Sequence, residues 1–116
     1  MEQDRNFLYR DISNIWYEKL KIERISKGDI FDLTLDQIAD IMENQLFRCY
    51  YSGQELVYPR FSKSSYYEGR ITLIDPNNGY VYNNIRFVSR IVNNMKNSMG
   101  EIEFLEMCNT IVNKNN

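Results

Sequence analysis

The alternation of apolar and polar positions divides the chain into helical and extended segments before any residue is given a role. Leu8, Ile12, Ile15, Trp16 and Leu20 recur at helical intervals, predicting a helix from about Arg5 to Ser26 with those side chains inward. Lys27-Gly28-Asp29 is the expected stop, because Gly28 can take a positive φ without a Cβ penalty. Phe31 and Leu33 make a short extended piece. Thr34 and Gln37 have capping-box spacing: the threonine hydroxyl accepts from a first-turn amide while the glutamine reaches back. A second helix is expected to about Leu46, with Leu35, Ile38, Ala39 and Met42 inward.

Two β-rich runs, Phe47 to Tyr51 and Leu56 to Tyr58, flank Ser52-Gly53-Gln54 and predict a hairpin. The polar and aromatic stretch from Pro59 to Gly69 reads as a loop, and Arg70 to Ile74 as a short strand. Pro76-Asn77-Asn78-Gly79 is a strong turn signal, and Tyr80 to Tyr82 is extended. A helix is expected over about Asn84 to Asn97. Ser98 and Glu101 form a second capping box, opening a last helix to about Val112 with Ile102, Leu105, Cys108 and Ile111 inward. These elements predict one α+β domain over residues 1–116: N-terminal helices, a hairpin, a strand–turn–strand–helix unit and a C-terminal helix.

Composition narrows the class of function. With 116 residues the chain can bury one modest core. No apolar run approaches a membrane span and the first residues lack a signal-peptide profile, so a cytoplasmic protein is expected. Cys49 and Cys108 form no CxxC pair and the chain has no histidine, which argues against structural zinc and for free, largely buried thiols. Net charge is −2, but it is unevenly spread. Residues 1–59 carry seven basic against eleven acidic residues, residues 60–100 six against two, and residues 101–116 one against three. Clustered basic residues are rewarded by counterion release at phosphate, whatever the total charge.

The basic stretch also carries a sequence resemblance. Arg70-Ile71-Thr72-Leu73-Ile74-Asp75, Asn78-Gly79-Tyr80, Asn84-Ile85, Phe87-Val88 and Asn93-Asn94-Met95-Lys96-Asn97 follow in the order seen in small phage and bacterial HNH nucleases. Upstream, Cys49-Tyr50-Tyr51-Ser52-Gly53 resembles the Cys-x-Tyr-Thr-Gly turn of that group. Phe31 to Leu35 resembles its N-terminal approach, and Glu101 to Leu105 its closing helix. The resemblance covers nearly the whole chain. It implies a ββα His-Me finger core, a middle asparagine (here Asn84) bracing the loop that contains Asp75 and Gly79, and a nuclease working through one divalent metal and a histidine base.

The departure falls where that chemistry would stand. The first strand of the family supplies a metal-binding Asp or His beside a His base, and those two positions here are Thr72 and Leu73. Leucine neither takes a proton nor holds a metal, and threonine is a poor sole anchor for a hard dication. Asp75 lies about 7 Å from position 73 by strand rise, and the turn motif gives it an Asx role at the amides that follow. Asn93 matches the last ligand position, so Asp75 with Asn93 is the only metal pair on offer. Any tyrosine replacing the base would need its pKa of about 10 lowered by a cation.

Three functions follow. The favoured one is a catalytically degenerate HNH-like module, without a cofactor. It would bind nucleic acid through Arg60, Lys63, Arg70, Arg86, Arg90 and Lys96, or bind a protein that processes nucleic acid, as a phage accessory or anti-defence factor would. The alternative is a Mg- or Mn-dependent endonuclease with an atypical shell. The third is a protein-interaction domain.

Overall fold

The computed structural model describes residues 14–57 and 65–116. Helix α1 (Asn14–Ser26) is followed by β1 (Phe31–Asp32), α2 (Leu35–Asn44), β2 (Gly69–Leu73) and β3 (Tyr80–Val81). A single 3-10 turn (Tyr82–Asn84), β4 (Ile85–Ser89), α3 (Arg90–Lys96) and α4 (Glu101–Asn115) complete a mixed α+β fold. The expected first turns of the N-terminal helix, with Leu8 and Ile12, lie outside the described residues, as do Arg60 and Lys63.

Helix α1 docks by a narrow stripe: Trp16 is buried and Leu20 packs against the core, while Ile15 is exposed rather than inward. Consecutive helical positions point about 100° apart, so Trp16 turns its neighbour outward. The helix ends as expected, with Gly28 at φ +83°. Helix α2 is placed by its capping box: Thr34 Oγ1 accepts from Gln37 N at 3.1 Å, and Thr34 N donates to Gln37 Oε1 at 3.0 Å. Its Ile38, Ala39 and Met42 are buried at the centre of the core with Phe87 and Val88 of β4.

The expected hairpin is reduced to one antiparallel bridge, Arg48↔Glu55, with Cys49 N donating to Gln54 O. Leu46 and Phe47 both take positive φ just before it, which breaks the pleat that a strand from Phe47 would need. Tyr58 lies outside the described residues.

The largest revision concerns Asn84 to Asn97. Ile85–Ser89 is a strand, not the start of a helix, and pairs antiparallel with β2 in the register Gly69↔Ser89 to Leu73↔Ile85. Partner-strand pairing overrides a local pattern that suits either element, since Ile85, Val88 and Val92 also fall at helical spacing. The helix starts only after Ser89, whose hydroxyl accepts from Val92 N at 3.2 Å as an N-cap. A second, parallel pair joins β1 to β3. Gly79 is required at its edge: φ is +78°, and a Cβ there would stand 2.7 Å from Ile30 Cβ.

Helix α4 also differs from expectation. Its N-cap is Gly100 with no side-chain bond, because the Glu101 carboxylate is taken by Tyr51 and Arg86 instead of closing a box with Ser98. Only Phe104 is buried, with Cys108 half-buried one turn on. Ile102, Leu105 and Ile111 are exposed, not inward.

Candidate functional site

The loop from β2 to β4 is held by one side chain. Asn84 Oδ1 accepts from Asp75 N at 2.9 Å, and its Nδ2 donates to Asp75 O at 2.8 Å and to Gly79 O at 2.9 Å. Asp75 itself closes the turn, accepting from Asn77 N at 2.9 Å on Oδ1 and from Asn78 Nδ2 at 3.3 Å on Oδ2. These bonds replace backbone partners that a tight turn cannot supply.

Between α1, β2 and α3 lies a cavity of about 710 Å³. Thr72 and Leu73 of β2, Asn93 of α3 and Arg24 of α1 line it; Asp75 is not among its lining residues. The strand positions singled out by the sequence and Asn93 therefore meet at one cleft, whereas Asp75 belongs to the turn. Among the described residues, no group of three or more His, Cys, Asp or Glu side chains could hold a metal ion. The cleft's carboxylates, Glu23 and Asp29, both pair with Arg24, at 3.1 and 3.4 Å. Arg24 Nε is buried without a hydrogen-bond partner. Charged groups around the cleft thus number three cations (Arg24, Arg70 and Lys96) against two anions.

Lys96 is neither a solvated helix end nor extended toward solvent. It is 1% exposed, and its Nζ donates to Leu73 O at 2.6 Å, Met99 O at 2.7 Å and Thr72 Oγ1 at 3.2 Å. All three ammonium protons are used, tying β2 to both ends of the turn after α3. Burial lowers its pKa below the ordinary lysine value, with Glu101 and Glu103 opposing. Arg70 pairs with the buried Glu68.

Tyr80 is the tyrosine nearest to meeting the requirement for a base, since Arg24 Nη1 donates to its hydroxyl at 3.0 Å. Burial outweighs that cation and leaves the Tyr80 pKa raised, the wrong direction for a base at neutral pH.

Arg86 and Arg90 stand away from this cleft. The Arg86 guanidinium lies 3.8 Å from the ring centroid of Tyr50, and its Nε donates to Glu101 Oε1 at 3.3 Å. Tyr51 Oη donates to the same oxygen at 2.7 Å. Arg90 lies 5.0 Å from the Tyr66 centroid, and its Nε donates to Ser65 O at 3.0 Å. Sequence reading gave Arg24 no role, Tyr50 only a place in the turn motif and Glu101 only a capping role. The Arg24–Tyr80 and Tyr51–Glu101 bonds join residues 56 and 50 positions apart, which spacing along the chain does not reveal.

Burial raises the Glu101 pKa, but the hydrogen bonds from Tyr51 and Arg86 outweigh it and hold the carboxyl below its usual 4.5. A depressed carboxyl contributes stability above its unfolded pKa and loses it as pH falls through the folded one. The stability gap between wild type and Glu101→Gln is therefore expected to be full at pH 6 and to close below about 4.5. Urea midpoints across that range measure it; a gap independent of pH would remove Glu101 as the anchor of Arg86.

No family model matches the chain, and no solved structure matches it. A relative is an uncharacterized protein of Acanthamoeba polyphaga mimivirus, 31% identical over 105 residues. The match takes in 90% of this chain but 18% of the relative, so the chain spans under a fifth of that protein's length. Among the described residues no helix is long and apolar enough to cross a membrane.

Proposed function

We propose that the chain is a catalytically degenerate HNH-like module that binds nucleic acid without cutting it. The observation that carries this reading is the cleft between α1, β2 and α3, where Asn93, Asn94 and Asn97 bring amides, both carboxylates are engaged by Arg24, and Arg70 and Lys96 are already paired within the fold. Such a lining offers neither a free base nor the carboxylate shell a divalent cation wants, and the binding part of the reading is supported by the basic run of residues 60–100.

The strand–loop–strand–helix order, the Asn84 bonds and the position of Asn93 support the HNH-like part. In that alignment Thr72 and Leu73 occupy the ligand and base positions, and Thr72 Oγ1 already accepts from Lys96. A viral relative suits an accessory or anti-defence factor encoded by a phage or virus.

Fluorescence anisotropy with a labelled DNA duplex tests the binding. Affinity is expected to weaken steeply from about 50 to 200 mM salt, as counterions compete for phosphate. EDTA is expected to leave it unchanged, and the triple change of Arg70, Arg86 and Arg90 to Ala to flatten the salt slope. Undetectable binding at low salt to duplex and single strand alike would shift the reading to a protein partner.

A further inference from the structure

We propose that α4 is a self-association surface, on which a second copy of this chain packs its own α4 antiparallel about a two-fold axis. The inference goes beyond the nucleic-acid reading and does not depend on it.

Helix α4 docks onto the core only near its start. Phe104 is buried with its ring centroid 5.4 Å from that of Tyr51, and Glu101 N donates to Ile74 O. Ile111 stands seven residues after Phe104, about 20° from it around the helix, so it faces the same way. It is nevertheless 56% exposed, because the core ends beneath Cys108 and the last two turns overhang it. Leu105 and Val112, also seven residues apart, widen this stripe to one side and are 42% and 53% exposed. Ile102 and Met107 border it, and both are exposed.

Charge and area both fit a second copy. By helical spacing Glu103, Glu106 and Lys114 lie on the side opposite the stripe, so pairing two stripes brings no like charges together. An antiparallel pair also opposes the two helix dipoles and runs the acidic first half of each helix along the Lys114 end of the other. The five exposed apolar side chains offer on the order of 500 Å² per protomer, so a pair buries about 1,000 Å², the least that a specific interface needs. The dimer is therefore expected to be weak, with a Kd on the order of 10 µM.

Sedimentation velocity of the full chain at concentrations from about 1 to 200 µM reads the association. Wild type is expected to pass from monomer to dimer across that range. Ile111→Glu and Val112→Glu are each expected to remain monomeric throughout. Met95→Glu, which puts the same charge on an exposed apolar residue of α3, is expected to dimerise as wild type does. Circular dichroism confirms that the variants keep their helices, which exposed side chains do little to hold. Lys114→Glu sets acidic groups at both ends of an antiparallel pair and is expected to weaken it about threefold at low salt. An affinity unchanged by Lys114→Glu overturns the antiparallel setting. A wild-type monomer at every concentration, or a dimer that both stripe variants leave intact, overturns the surface itself.

Discussion

Lys96→Met is expected to destabilise the protein by about 3 kcal/mol, although the substitution keeps nearly all of the side chain's length. The ammonium donates to Leu73 O and Thr72 Oγ1 of β2 and to Met99 O of the turn after α3, three acceptors from two separate segments. Methionine fills the same space but donates to none of them. A hydrogen bond to a charged group contributes about 1.5–3 kcal/mol, and an acceptor left buried costs most of its desolvation. The relief of no longer burying a charge offsets part of that sum, which is why the expectation is well below three full bonds. Lys96→Arg is expected to fare little better, because a planar fork does not match acceptors arranged around a point charge. Chemical denaturation at neutral pH reads both. A midpoint for Lys96→Met within about 0.5 kcal/mol of wild type would show that the ammonium ties nothing together.

Asn84→Ala and Asn84→Asp are expected to be almost equally damaging, each by about 2–4 kcal/mol. Alanine loses all three bonds to the loop. Aspartate still offers an oxygen to Asp75 N, but it cannot donate to Asp75 O or Gly79 O and sets a negative charge against both carbonyls. The loop they close also carries Gly79, pressed against Ile30, so the damage reaches the β1–β3 pair. Hydrogen exchange resolves this: amides of residues 75–81 are expected to lose protection in both variants while the β2–β4 pair keeps most of its own. Near-native stability for Asn84→Asp would mean that the carboxamide donors are unimportant.

Parts of this architecture are legible in the sequence because they are settled locally. Thr34 and Gln37 cap α2 through each other, and Gly28 ends α1 by its own φ. Asp75 closes its turn with amides two and three residues on. The misread parts are settled at a distance. Ile85 to Ser89 becomes strand because β2 is there to pair with it. The apolar positions of α4 are amphipathic on paper, but only Phe104 and Cys108 find cover, and spacing alone cannot say how much of a stripe will be covered. Lys96 was read with the solvent-facing basic residues. Its burial depends on two carbonyls and a hydroxyl that only the folded chain brings together.

The same contrast applies to the cleft. Thr72, Leu73 and Asn93 were singled out from the chain and do line one cavity, while Arg24, which pairs with both of its carboxylates, comes from a helix some fifty residues away. A site built on β2 and α3 alone would have missed the residue that occupies both nearby carboxylates.

One gel measures the central claim most directly. Supercoiled plasmid is incubated with the purified protein in magnesium or manganese, with parallel EDTA lanes and an Asp75→Ala control, then divided into native and deproteinised samples. A binding module that has lost the chemistry predicts retarded plasmid in the native lanes, released by added salt, and fully supercoiled plasmid after deproteinisation. Nicked plasmid that depends on metal, is spared by EDTA and is abolished by Asp75→Ala would contradict it and identify a working nuclease.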